Sequence, residues 1–183
     1  MRLPTTSDRG PGPRLFLGDA AGHPHDEGEA AERTGQAPGN ARHAVLVVDD
    51  SEQDLILLRA AFETVGLDGG LRWAKDADQA RAYFLGEPPF DDRAKDPIPS
   101  LVLLDIQLTT EDGFTVLGWL RSQNAEWRRV PVIMLTTTQQ RSEISRAYDM
   151  GANSFLTKPT GFEDLCKMVA DLSSYWLKRN KRG

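Results

Sequence analysis

Five short apolar runs recur along this chain, each followed by a segment of helical periodicity, and that alternation narrows the fold more than any other feature. AVLVV at residues 44 to 48, LRWA at 71 to 74, LVLLD at 101 to 105, VPVIML at 130 to 135 and NSFLT at 153 to 157 read as strands. Runs as apolar and β-branched as AVLVV suit a strand covered on both faces of a parallel sheet. After the first run comes Ser51, a candidate helix cap; Leu55, Leu58, Phe62 and Val65 then recur at helical spacing, and Gly66 is placed to end that helix. Further helices are expected over 76 to 86, with Ala80, Tyr83 and Phe84 inward, and over 112 to 124 and 140 to 150. The last, over 161 to 178, carries an inner stripe of Phe162, Leu165, Val169, Leu172, Tyr175 and Trp176. Five β-α repeats imply an α/β fold, a doubly wound five-stranded parallel sheet with right-handed crossovers.

The folded region is therefore expected to span 44 to 178, leaving 1 to 43 and a short basic tail at 179 to 183. Residues 1 to 43 are crowded with Gly, Pro, Ala and charge and lack the large apolar side chains whose burial offsets chain entropy, so a disordered tail is expected there. The connection over 87 to 100 contains Pro88, Pro89, Pro97 and Pro99 and is long for a helix-to-strand loop. With only a few residues after the fifth helix, no fused DNA-binding module is expected. The KRNKR cluster at 178 to 182 reads as a solvated helix end that complements the helix dipole.

A formal charge of −5 among 183 residues offers no basic excess to attract nucleic acid or an anionic membrane. Cys166 is the single cysteine, so no internal disulfide can form and no Cys/His cluster offers a zinc site. His23, His25 and His43 all fall at or before the first strand, which argues against histidine acid/base chemistry. With no membrane-spanning run and no signal peptide, a cytoplasmic protein is expected.

In open parallel sheets ligands gather outside the carboxyl ends of the strands, and here those ends are acidic. Asp49 and Asp50 end the first strand and Asp105 the third, and a doubly wound order makes these strands neighbours. Each acid alone reads as a helix cap or a solvated side chain. Together in one crevice they repel, and a hard divalent cation such as Mg²⁺ is the natural compensation. Asp50, Asp105 and the Gln107 carbonyl are candidate ligands. Thr136 ends the fourth strand with a hydroxyl, and Lys158, followed by Pro159, brings an ammonium group to the same rim. Those parts suit attack of a carboxylate on a phosphoryl group whose oxygens are neutralised by a cation, a lysine and a hydroxyl. Neither GxGxxG nor GxxxxGK[ST] occurs, so a nucleotide is not expected as the direct donor.

VVDDS at 47 to 51, LLDIQLTTEDG at 103 to 113, MLTTT at 134 to 138 and TKP at 157 to 159 resemble the receivers of bacterial two-component response regulators, which have a flavodoxin-like fold. The resemblance spans 44 to 178. It implies that Asp105 is the phospho-acceptor, that Asp49 and Asp50 bind Mg²⁺, that Lys158 contacts phosphate, and that Thr136 and Phe155 form a switch. A sensor histidine kinase as donor, a labile acyl phosphate, slow self-hydrolysis and a cis Lys158–Pro159 bond are implied with it. Two positions depart from the common pattern. Thr109 stands where many receivers carry Pro, which predicts a less rigid loop, and Phe155 stands where Tyr is frequent. The loop before LVLLD, the stretch LTTTQQRSEISRAYDMGANSFLTKP and the ending SSYWLKR resemble, more narrowly, single-domain response regulators paired with bacterial phytochromes. Receivers of this type often form homodimers through helix 4, strand 5 and helix 5, where Ile144, Tyr148, Tyr175 and Trp176 lie. A flavodoxin-like cofactor binder and a phosphorylation-independent adaptor are the rival readings.

Overall fold

The computed structural model describes residues 43–67, 69–137 and 140–180. The expected disordered stretch, apart from His43, and most of the basic tail lie outside these residues. Strands β1 (Val45–Val48), β2 (Leu71–Ala74), β3 (Leu101–Asp105), β4 (Val132–Thr136) and β5 (Ser154–Thr157) alternate with helices α1 (Glu52–Thr64), α2 (Ala77–Leu85), α3 (Gly113–Ser122), α4 (Arg141–Asp149) and α5 (Phe162–Leu172). All strand pairs are parallel and the order is β2-β1-β3-β4-β5. This is the doubly wound, flavodoxin-like architecture that the alternation implied.

The period of two along each strand divides the core. Leu46, Val48, Val102, Leu104, Val132 and Met134 pack toward Tyr83, Phe84, Phe114 and Leu117 of α2 and α3. Val45, Val47, Leu101, Leu103, Ile133 and Leu135 pack on the other face toward Leu58 and Phe62 of α1 and Leu165 and Val169 of α5. Ser51 caps α1 by accepting from the Asp54 N–H at 3.2 Å, and Gly66, at φ 73°, takes the left-handed conformation that follows this helix.

Local differences from the sequence reading have physical reasons. The fourth strand begins at Val132 rather than Val130, because a 3-10 turn over Glu126–Arg129 precedes it. The last helix changes winding: α5 ends at Leu172 and a π-helical segment, Ser173–Arg179, follows. Wider winding rotates later side chains off the α-helical stripe, so Tyr175 is 56% exposed while Leu177 is buried. Phe162, at the other end of the expected stripe, is also exposed. The Lys158–Pro159 bond is not cis; the cis bond among the described residues is Pro88–Pro89. An X-Pro amide holds the two isomers within about 1 kcal/mol, and the chain leaving β5 accommodates trans.

The long connection before β3 is fastened despite its length. Arg93 donates to the Tyr83 and Phe84 carbonyls, both at 2.8 Å, closing the end of α2. The Tyr83 hydroxyl donates to the Pro97 carbonyl at 2.7 Å, and buried Asp96 pairs with Arg72 at 3.0 Å.

Candidate functional site

The strand order reverses between β1 and β3, and there the two chain directions leave a crevice at the carboxyl edge of the sheet. Val48 lies beside Leu104 in the parallel register, so the residues that follow, Asp49 and Asp105, emerge side by side. β4 ends on Thr136, and the Lys158 N–H donates to the Thr136 carbonyl at 2.7 Å. That bond delivers the Lys158 side chain to the crevice.

The Lys158 ammonium donates to Asp49 Oδ2 at 2.8 Å, Asp54 Oδ2 at 2.7 Å and Asp105 Oδ2 at 2.5 Å. The second oxygen of each strand-end acid is held locally: Asp49 Oδ1 accepts from the Ser51 N–H at 2.9 Å and Asp105 Oδ1 from the Gln107 N–H at 3.0 Å. The Trp73 indole N–H fixes the backbone by donating to the Asp49 carbonyl at 2.7 Å. Asp50, at the rim, accepts through Oδ2 from the Thr109 N–H at 2.8 Å and from the Thr109 hydroxyl. Gly113 closes the loop after β3: a Cβ there would collide with the Asp105 carbonyl oxygen.

The electrostatics follow from burial. Burial pushes the Asp49 carboxyl above its ordinary value, against the opposing pull of Lys158 and the Ser51 N–H. Burial alone would lower Lys158, but its bonds to Asp105, Asp49 and Asp54 more than offset that and hold it charged well above its usual range. The Thr109 hydroxyl beside Asp50 keeps that carboxyl below its ordinary value. A raised acid favours the fold fully below its unfolded pKa of 3.8 and loses that contribution as pH climbs through its folded value. Asp49→Asn keeps an acceptor for the Ser51 N–H without the buried charge. The gap between variant and parent is therefore expected to move in the variant's favour as pH rises from about 4 to neutral. Thermal melts across pH check this, and a gap that moves the other way would contradict it.

Asp49, Asp50 and Asp105 each offer a carboxylate oxygen, and these oxygens lie within 4.8 Å of one another. Hard oxygen donors with excess negative charge suit Mg²⁺ or Mn²⁺ rather than a soft metal. With Asp54 counted, four carboxylates face the one Lys158 ammonium. The donor set fits a divalent cation.

The structure thus brings together Asp49, Asp50, Asp105 and Lys158, with Thr136 buried beside them at the end of β4. Gln107 follows Asp105 and touches the site through its N–H. Phe155 lies apart from the acids, half-buried in β5 and packed against the α2–α3 side of the core. Two participants stand outside the site residues that the sequence indicates. Asp54 looks like an ordinary first-turn acid favoured by the helix dipole; its signal was its place four residues after Asp50. Thr109, in place of Pro, predicts a looser loop, whereas it ties that loop to Asp50.

The model of the response regulator receiver domain family matches residues 45–170. The chain belongs to that family. This receiver is 34% identical over 137 residues to the probable methanogenesis regulatory protein FilR2 of Methanothrix harundinacea, covering 75% of this chain and 85% of that one. It is 32% identical over 139 residues to the response regulator Rcp1 of Synechocystis, covering 76% and 92%. The crystal structure of Mn²⁺-bound Rcp1 matches 77% of this chain and 99% of the Rcp1 chain with a TM-score of 0.67. The bacteriophytochrome response regulator RtBRR, 32% identical, matches 77% and 84% with a TM-score of 0.60. The receiver is a signalling protein of the two-component type, similar to phytochrome-associated regulators. Among the described residues no helix is long and apolar enough to cross a membrane.

Proposed function

We propose that this receiver takes a phosphoryl group on Asp105 from a sensor histidine kinase and signals through the resulting change in its surface. The observation that carries this reading is the Lys158 ammonium joined to Asp49 and Asp105 at the β1–β3 crevice. In the forward step an Asp105 carboxylate oxygen attacks phosphorus, a P–O bond forms, the P–N bond to the kinase imidazole breaks, and that nitrogen regains a proton. Lys158 moves from carboxylate to a phosphoryl oxygen, and the Thr136 hydroxyl donates to another. Asp49, Asp50, Asp105 and the Gln107 carbonyl would hold Mg²⁺, which supplies charge neutralisation at the phosphoryl oxygens when bound. Water attack on the acyl phosphate returns the resting state slowly.

The switch is assigned to Thr136 and Phe155: once the hydroxyl turns to phosphate, the Phe155 ring repacks behind it. Likeness to RtBRR supports a bacteriophytochrome as the donor, and we read the receiver, residues 44 to 178, as acting in the cytoplasm without a nucleic-acid role. Mg²⁺-dependent labelling by a small phosphoryl donor, read by intact mass, tests the acceptor reading. One reversible phosphoryl group supports it, and no label under any cation rejects it in favour of an adaptor.

The output surface is read as the face of α4, β5 and α5, through which two copies associate. Tyr148 and Tyr175 are exposed there at 52% and 56%, and Tyr175 stacks edge-on with Trp176 at 4.9 Å beside a concavity over Leu156 and Met168. Beryllofluoride is expected to shift the sedimentation of the full chain toward dimer. A chain that stays monomeric with and without it would sink this reading.

A further inference from the structure

Asp49 and Asp105 are each fixed twice, by a local backbone N–H and by Lys158. Asp50 is held differently. Apart from its own backbone N–H, its carboxylate meets Thr109, 59 residues away, and both Thr109 donors converge on the same oxygen, Oδ2. The other oxygen, Oδ1, takes neither Thr109 donor, which leaves that side of the carboxylate toward a cation.

The loop that supplies Thr109 is itself anchored on both flanks. Arg81 of α2 pairs with Glu111 at 2.5 Å, and Arg146 of α4 pairs with Asp112 at 3.1 Å while its guanidinium lies 4.1 Å from the Phe114 ring centre. A Gln107–Asp112 bridge and the Gly113 N–H to Ile106 carbonyl bond at 2.9 Å close its base. Thr109 is presented from a fastened loop, so its two donors arrive already placed.

We propose that Thr109 is a positioning residue for the divalent cation site: its N–H and hydroxyl hold Asp50 by one oxygen so that the other is offered inward alongside Asp49 and Asp105. The inference rests on the cation-site reading above and adds to it the group that orients its most exposed ligand. Groups that orient metal ligands commonly change affinity by about 10–100-fold when removed. A proline at this position would delete both donors, a valine only the hydroxyl, and a serine neither, so the three variants grade the latch.

Titrating Mg²⁺ calorimetrically into the full chain, with no phosphoryl donor present, reads the effect directly. Thr109→Val is expected to weaken Mg²⁺ about tenfold and Thr109→Pro further, toward a hundredfold. Thr109→Ser is expected to stay within about twofold of the parent, since both donors remain. Melting temperatures in chelator should be alike for parent, Val and Ser forms, because the loop keeps its other anchors. If Asp50→Asn loses Mg²⁺ while the Val and Pro forms bind like the parent, the latch only fastens the loop and the proposal falls. Tighter binding by Thr109→Val would overturn it too, by showing the latch to compete with the cation. A parent chain that binds no Mg²⁺ would overturn the cation-site reading itself, a separate and distinguishable failure.

Discussion

Asp105→Asn is expected to abolish covalent labelling while leaving the fold intact. The asparagine amide keeps the shape of the side chain and an oxygen for the Gln107 N–H, which now reaches Asp105 Oδ1 at 3.0 Å. What it lacks is an anionic oxygen to attack phosphorus. Removing a nucleophile that no neighbour can replace drops such reactions by on the order of 10⁴-fold or more. Asp49 is no substitute, being fully buried and turned toward Ser51 and Lys158. Intact mass after exposure to the donor in Mg²⁺ should show one phosphoryl group on the parent and none on the variant. Equal labelling of both would mean that the acceptor lies elsewhere and that the carboxylate cluster has another purpose.

Lys158→Met is expected to carry the largest cost in stability. The ammonium group joins three carboxylates, two of which, Asp49 and Asp105, have side chains only 1% and 9% exposed. A buried charge stripped of its partner costs about 3–5 kcal/mol, and the lower end applies here because Asp54 opens the cluster to solvent. Lys158 sits above its ordinary 10.5 in the folded chain, so its contribution is complete at neutral pH and fades only as pH rises through that folded value. Two conditions should repair the variant. Acid should, because the stranded carboxylates can take protons, and Mg²⁺ should, because it replaces the missing positive charge. Melts in chelator, in Mg²⁺ and at pH 4 distinguish this from a simple packing defect, which neither treatment would relieve.

Much of this architecture could be read from the chain because its strands are short and its faces separate cleanly. AVLVV and LVLLD announce buried parallel strands, and the acids that end them are forced together once β1 and β3 are neighbours. Legibility stopped where a contact depends on the angle between elements. Asp54 is indistinguishable along the chain from any acid in a first helical turn, and only the approach of Lys158 from β5 gives it a role. Thr109 illustrates a second limit. The loss of proline removes one kind of rigidity, yet the same position gains an N–H and a hydroxyl, and their acceptor is 59 residues distant. At α5 the failure is one of period: the stripe through Tyr175 assumes α-helical winding, and the π-helical turn from Ser173 breaks it.

The site is also a statement about how the chain becomes folded. Asp49 follows β1, Asp105 ends β3 and Lys158 follows β5, and 109 residues separate the ammonium group from its first partner. A half-formed sheet with β1 and β3 paired but β5 undocked would press Asp49 and Asp105 together with no cation between them. Coulomb repulsion taxes that intermediate in a low-dielectric crevice. Docking of the last strand relieves it, because Lys158 then reaches both acids. The charges gathered at this crevice thus tie the last strand of the sheet to the first.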